Sequence, residues 1–157
     1  MQKIVPFLWF DNNLEDAMKF YTSVFKNSEI KDIQYNTKSA PGPEGAVLAA
    51  RFILDGFEFS ALNGGPQFKF NESVSFYVKC ETQDEIDYYW NALIADGGEE
   101  SACGWLKDKF GLSWQITPPI LIEYLGDPDR EKANRVMQAM MKMGKIIIKD
   151  IEDAAKG

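Results

Sequence analysis

The sequence predicts an α+β fold of paired βαβββ modules, in which a strand, a helix and three strands occur twice before a set of C-terminal helices. Short runs of alternating apolar and polar residues predict the strands, and apolar residues spaced three and four apart predict one helix per module. The modules are predicted for residues 1–66 and 71–118, with a helical extension at 119–157. Because 45% of the 157 residues are hydrophobic, we expect one domain with a sizeable core.

The first module begins with a short apolar run and an amphipathic helix. The helix is predicted for residues 14–25, and the Asp-Asn-Asn segment at 11–13 offers N-cap side chains. Asp55 and Gly56 predict a tight hairpin between the last two strands. The predicted strands are 4–10, 29–35, 46–54 and 57–63. The Pro- and Gly-rich loop at 37–45 is either a surface excursion or a flexible lid.

The second module repeats this order of elements. Residues 73–78 alternate as a strand, and a helix is predicted for 83–95, ended by Gly97 and Gly98. The buried face of this helix is predicted to contain Ile86, Tyr89, Trp90, Leu93 and Ile94. A short strand at 99–102 then precedes the segment CGWLKDKFGLSWQITP at 103–118.

The segment at 103–118 predicts a hairpin whose turn, at 108–111, ends in a glycine. A three-residue loop would place Trp105 opposite Gln115. Strand alternation then directs one side of the second strand to the helices and the other to a concave pocket. The first side holds Leu112, Trp114 and Ile116, and the second holds Ser113, Gln115 and Thr117. Trp105 is thus either an aromatic wall of this pocket or a core residue.

The extension contains a methionine-rich stripe on one predicted helix. Its members are Ala133, Val136, Met137, Met140 and Met141. The stripe is either internal packing or a groove for a partner helix. Because it adds apolar surface that a small monomer would struggle to cover, we expect a homodimer.

Charge and composition exclude several classes of function. Seventeen basic against 24 acidic residues give a net charge of −7, which disfavours nucleic acid and anionic membranes as partners. Neither a membrane span nor a secretory signal is present, so we expect a cytoplasmic protein. The two cysteines are therefore expected to be free thiols. The absence of histidine removes the commonest general base near neutral pH.

Three phrases carry a resemblance to a known family. They are ALNGGP at 61–66, CGWLKDKFGLSWQITP at 103–118 and AMMKMGKI at 139–146. With the βαβββ repeat, they resemble the PhnB-like branch of the vicinal oxygen chelate superfamily, which includes glyoxalase I and the bleomycin-resistance proteins. This branch is labelled 3-demethylubiquinone-9 3-methyltransferase-like. The resemblance implies the fold of that superfamily and a small-molecule site in the cup of the modules.

The resemblance also implies where a metal would be held. In metal-dependent relatives the ligands come from the first and fourth strands of each module, which here correspond to Pro6, Ser60, Ser73 and Gln115. Proline has no side-chain donor atom, serine hydroxyls are poor ligands, and one amide oxygen does not hold a divalent ion. We therefore expect no metal and no cofactor. The Asn63-Gly64-Gly65-Pro66 turn, which leads into no helix, does not predict a site for S-adenosylmethionine either.

Two classes of function remain open. The first is a metal-independent protein that binds a small molecule; its candidate ligand-binding residues are Trp105, Gln115, Ser73, Ser75, Tyr77, Ser60 and Arg51. Arg51 is either a ligand contact or part of an edge ion pair. The second is an enzyme acting on a small carbonyl or oxyanion compound by side-chain acid/base chemistry. Its candidate catalytic residues are Tyr77, Cys103 and Glu58.

Overall fold

A computed structural model describes all 157 residues, which form two compact units, Met1–Lys69 and Phe70–Gly157. Each unit contains a four-stranded mixed sheet. The strand orders are β1-β4-β3-β2 and β5-β8-β7-β6, and in each sheet the first strand lies parallel to the fourth while the other pairs are antiparallel. The two sheets share one topology, so the predicted α+β fold with a repeated βαβββ module is confirmed.

The bounds of the elements follow the predictions closely. The first unit contains β1 Phe7–Phe10, α1 Leu14–Val24, β2 Glu29–Tyr35, β3 Val47–Leu54 and β4 Phe57–Asn63. The second module contains β5 Ser75–Lys79, α2 Gln83–Ile94, β6 Glu99–Glu100, β7 Trp105–Lys107 and β8 Ser113–Thr117. The extension contains α3 Pro119–Leu125, α4 Arg130–Met140 and α5 Ile148–Lys156. None of these helices is both long and apolar enough to span a membrane.

Three strands begin or end at least two residues away from the predicted position, each for a local reason. β1 begins only after Pro6, which lacks a backbone N–H for the ladder. β5 begins two residues late because the Asn71 side chain accepts the Ser73 N–H at 2.9 Å and turns the chain. β6 ends early because the Trp105 N–H bonds to the Ala102 carbonyl at 3.1 Å in a turn.

The cap of α1 comes from a residue that the sequence did not suggest. Asn13 occupies the N-cap position, but its side chain makes no capping bond. Instead, Asn63 Oδ1 at the end of β4 accepts the Leu14 N–H at 3.0 Å, while Asn63 Nδ2 donates to the Val47 carbonyl at 3.0 Å. The N-terminus of α1 is therefore capped by the side-chain amide of Asn63, 49 positions away from Leu14, and not by the predicted N-cap residues at 11–13.

One face of each sheet is covered by the helix of its own module. Alternation along the strands directs the large apolar side chains to that face. In the first module the buried residues are Ala50, Phe52 and Ala61 of the sheet and Leu14, Ala17 and Tyr21 of α1. In the second module they are Leu106, Trp114 and Ile116 of the sheet and Ile86, Trp90 and Leu93 of α2. The strand residues that alternate with these point to the opposite face of each sheet, which we call the open face.

The extension forms a small core of its own, made of Leu121, Val136, Ile146, Ile151 and Ala155. The residues between α4 and α5 fix it to the second module. The N–H groups of Cys103 and Gly104 donate to the carbonyls of Met143 and Gly144, both at 2.8 Å. The Gln83 side chain donates to the Ile146 carbonyl at 3.1 Å and accepts the Ile148 N–H at 2.8 Å. The extension is thus bound to the loop that precedes Trp105.

Candidate functional site

The hairpin at 103–118 has the predicted register. Trp105 pairs with Gln115, Leu106 with Trp114 and Lys107 with Ser113. Gly111 closes the turn at φ 86°, and its N–H bonds to the Asp108 carbonyl at 2.9 Å. Trp114 is buried on the helix side, whereas Trp105 is half-buried on the open face. The sequence therefore correctly predicts the sides of both tryptophans.

A buried carboxylate organises this hairpin. Asp108 is 3% exposed, and its Oδ1 accepts the N–H groups of Phe110 at 2.8 Å and Leu112 at 3.1 Å. Its Oδ2 accepts Nε1 of Trp114 at 2.9 Å. Sequence reasoning placed Asp108 in the turn but missed this role. An aspartate at the first position of a type I turn was the available signal, because its side chain commonly bonds to nearby backbone N–H groups.

The open face of the second sheet contains a cavity of about 130 Å³. Its lining is Glu72, Glu99, Glu100, Ser101, Trp105, Leu106, Lys107 and Ser113. Ser113 is fully buried, and its Oγ has no hydrogen-bond partner. Gln115, directly opposite Trp105, does not line the cavity; its Nε2 donates to Ser75 Oγ at 2.9 Å. The cavity thus combines an aromatic wall with a buried hydroxyl.

The charges of this cavity are fixed by one ion pair. Lys107 Nζ bonds to Glu72, and this contact raises the pKa of Lys107 and lowers that of Glu72, so both are charged at neutral pH. Glu99, opposite Lys107 in the ladder, further raises the pKa of Lys107. Glu100 accepts Nε1 of Trp90 at 2.8 Å. Two carboxylates, those of Glu72 and Glu99, therefore act on the Lys107 ammonium group, whereas Glu100 stands opposite Leu106 in the ladder and bonds to Trp90 of α2.

The first sheet has a cavity at the equivalent place, about 180 Å³ in volume. Its lining is Phe7, Asp32, Gln34, Ala49, Ala50, Arg51 and Ser60. Arg51 Nε donates to Asp32 Oδ2 at 2.7 Å, and Nη1 lies 3.8 Å from Glu58. The hydrogen bond to Asp32 raises the pKa of Arg51. Arg51 is therefore both ion-paired and part of a cavity lining.

The other candidate residues are dispersed. Ser73 is exposed and its hydroxyl bonds to Asn71 at 2.5 Å. Tyr77 is 40% exposed, and partial burial raises its pKa despite contact with Thr117. Cys103 has a left-handed backbone at φ 60°. Neither Tyr77 nor Cys103 lines the cavity of the second unit, and Glu58 lies in the first unit.

Both cysteines are free thiols, as predicted. Cys80 is fully buried, and burial raises the pKa of its thiol to about 12, with smaller contributions from Glu85 and Glu81. A thiol held protonated in this way is a packing group rather than a nucleophile at neutral pH.

The residues at the metal positions do not fit a metal. In the first unit Pro6 offers only its carbonyl, which already accepts the Ser60 N–H at 2.9 Å. In the second unit the amide of Gln115 is engaged with Ser75. No group of three or more His, Cys, Asp or Glu side chains comes together anywhere in the chain in a way that could hold a metal ion. A transition-metal site ordinarily needs three such ligands.

The glycines at 64 and 65 accommodate a tryptophan. A Cβ at Gly64 would overlap the Trp9 ring, and Trp9 Nε1 donates to the Gly65 carbonyl at 2.9 Å. Phe68 meets Trp9 edge-on, with ring centroids 4.9 Å apart. The NGGP turn therefore has a packing role, and no helix follows it that could bind a nucleotide-like cofactor.

Two sheets of identical βαβββ topology define a protein of the vicinal oxygen chelate class. The sequence model of one family in this class matches residues 2–117, and the chain belongs to that family, which is described as 3-demethylubiquinone-9 3-methyltransferase. The match ends before α3, so the extension lies outside it. No protein of curated function matches the sequence.

Solved structures agree with this assignment. The PhnB protein from Bacillus cereus, which carries the same methyltransferase description, is 41% identical with a TM-score of 0.68 over 74% of this chain and 99% of that one. A protein from Pseudomonas aeruginosa, 20% identical with a TM-score of 0.60 over 75% and 98%, shares the fold. The fosfomycin resistance protein FosX from Mesorhizobium loti, 11% identical with a TM-score of 0.58 over 81% and 99%, also shares it.

Proposed function

We propose that the protein is a cytoplasmic, metal-independent protein that binds a small molecule on the open face of its βαβββ modules. The observation that carries this proposal is the cavity of the second sheet, where half-buried Trp105 and the unpartnered hydroxyl of Ser113 border the same space. Cavities with an apolar wall and a few polar groups are typical ligand sites.

The predicted ligand-binding residues divide between the two units. Trp105 borders the cavity of the second unit, and Arg51 and Ser60 border that of the first. Gln115 lies two residues beyond Ser113 on the same strand, and its hydrogen-bond partner Ser75 is paired directly with Ser113. In the proposed site the pair of Gln115 and Ser75 adjusts to polar groups of the ligand by exchanging its internal bond for bonds to the ligand.

The alternative is an enzyme of the same superfamily that acts on a small carbonyl or oxyanion compound. Its phenol candidate, Tyr77, has a raised pKa, which makes it a poorer proton donor at neutral pH. This alternative also has less support because neither Tyr77 nor Cys103 lines the cavity of the second unit, and Glu58 does not line that of the first. Methyl transfer gains no support from the NGGP turn, whose glycines pack against Trp9.

A thermal-shift screen of metabolites, followed by tryptophan fluorescence, tests the binding proposal. With any compound that stabilises the protein, we expect Trp105→Phe to remove most of the fluorescence change, because Trp105 borders the cavity. Trp114→Phe is the matched control, since Trp114 is buried on the helix side. The purified protein should contain no stoichiometric transition metal by elemental analysis after dialysis against buffer, and a separate treatment with a chelator should leave its stability and ligand binding unchanged. Loss of the signal in Trp114→Phe alone would contradict the proposed site.

A homodimer remains part of the proposal. The methionine stripe is split: Met140 packs against the core of the extension, whereas Met137 is 39% and Met141 66% exposed. We expect light scattering at micromolar concentration to give twice the mass of the chain. Because lysine in place of an interface methionine would be desolvated, Met141→Lys should shift the protein to monomer without lowering its melting temperature. A monomeric unmodified protein would rule the dimer out.

A further inference from the structure

We propose that the cavity of the second unit binds a small organic cation that carries a hydroxyl group, with the cation against the Trp105 indole and the hydroxyl on Ser113 Oγ. The proposal rests on the binding function of this cavity and gives the class of its ligand. Three properties of the lining support it: its charge, its aromatic residue and its buried hydroxyl.

The charge of the lining favours a cation. The ion pair of Lys107 and Glu72 is neutral as a unit, so the carboxylate of Glu99, which stands opposite Lys107, leaves the lining with an excess of negative charge. Glu100 adds to this excess, although its carboxylate accepts the indole N–H of Trp90. A cavity lined by an excess of one sign concentrates ligands of the opposite sign. These carboxylates do not converge in a group that could hold a metal ion, so a diffuse organic charge suits them better than a metal.

Trp105 distinguishes this cavity from the one in the first unit. The ladders place Trp105 opposite Gln115 and two residues before Lys107, just as Ala49 stands two residues before Arg51. The same position therefore carries an indole in one module and a methyl group in the other. Tryptophan is the best cation–π partner among the side chains, and the interaction strengthens when the cation is partly desolvated.

Ser113 supplies the polar contact. The equivalent residue of the first unit, Ser60, is half-buried, whereas Ser113 is fully buried and its Oγ lacks a partner. A buried hydroxyl without a hydrogen bond is unfavourable, so a ligand hydroxyl would relieve this penalty. The volume of about 130 Å³ limits the group that enters to a few heavy atoms, because an engineered cavity of about 150 Å³ accepts benzene.

The test uses choline as the probe, with 3,3-dimethylbutan-1-ol as an uncharged ligand of the same shape. Titrations are followed by the Trp105 indole resonance of ¹⁵N-labelled protein at constant ionic strength. Choline should shift this resonance saturably, and the uncharged alcohol should bind at least about fivefold more weakly, because it lacks the cation–π interaction. Pivalate, an anion of similar size, should not bind.

Calorimetric titrations of variants measure how much individual residues contribute to choline binding. Trp105→Leu should weaken choline binding about tenfold, and Glu99→Gln should weaken it severalfold, while Glu44→Gln in the loop of the first unit should leave it unchanged. Ser113→Ala should weaken choline but not tetramethylammonium, which has no hydroxyl. Because it removes an unpartnered buried hydroxyl, this variant should keep its folding stability.

Three results would overturn the cation proposal: no saturable shift with choline, equal binding of choline and the uncharged alcohol, or tighter binding of pivalate. If a neutral or anionic metabolite perturbs Trp105 while choline does not, the binding function stands and the ligand class is wrong. If no compound of the screen and no cation affects Trp105, both are wrong.

Discussion

Asp108→Asn should lower the free energy of unfolding by about 2–4 kcal/mol. The carboxylate accepts three N–H groups in a buried site, and Oδ2 faces the indole N–H of Trp114 at 2.9 Å. An asparagine keeps one acceptor oxygen, so its amide N–H₂ would face another donor. Urea denaturation followed by far-UV circular dichroism measures the change without relying on tryptophan fluorescence.

Asp11→Asn is the matched control, because Asp11 is exposed. It should change stability by less than about 0.5 kcal/mol. A double-mutant cycle of Asp108→Asn with Trp114→Phe adds a sharper test: the second change removes the donor that the first leaves unpaired, so the two losses should be less than additive. An Asp108→Asn variant as stable as the control would show that the carboxylate does not organise the hairpin.

Ile146→Ala should lower the free energy of unfolding by about 2–4 kcal/mol, because it leaves a cavity in the core of the extension. Ile146 is fully buried, and its side chain lies against the position that a Cβ of Gly104 would take, 3.0 Å away. The same variant should speed hydrogen exchange at the amides of Cys103 and Gly104, which bond to the carbonyls of Met143 and Gly144.

Ile122→Ala serves as the control for this variant, since Ile122 is 54% exposed on α3. Its effect should stay below about 0.5 kcal/mol, because little apolar area leaves the core. Urea denaturation and mass-spectrometric exchange distinguish two roles of the extension. Lost stability with unchanged exchange at Cys103 and Gly104 would mean that the extension folds alongside the second module without holding the loop before Trp105.

Local signals predicted the hairpin and the repeat well. Period-2 alternation and the turn residues at 108–111 are properties of neighbouring residues, so they determined the pairing of Trp105 with Gln115 and the burial of Trp114. The same reasoning found both helices of the modules within one residue of their ends. The start of β1 was predicted three residues too early, because apolar content alone does not show where ladder hydrogen bonds begin.

Short-range sequence patterns did not predict contacts between residues that are far apart in the chain. The cap of α1 by Asn63 joins residues 49 positions apart, and the bonds of Gln83 to the extension join residues more than 60 apart. Nothing in the local sequence of either residue marks these partners. The third carboxylate bond of Asp108, to Trp114, likewise exists only once the hairpin has closed.

The sequence by itself determined the order of elements, the sides of the strands and the poor set of metal donors, because each depends on residue type and short spacing. Only the tertiary structure decided that Glu72, Glu99 and Lys107 meet beside Trp105, and that the Ser113 hydroxyl is buried there without a partner. These residues come from separate strands and from the chain before β5. Their charges and hydrogen bonds act on one another only after sheet pairing brings them within a few ångströms, where electrostatic interaction is strong.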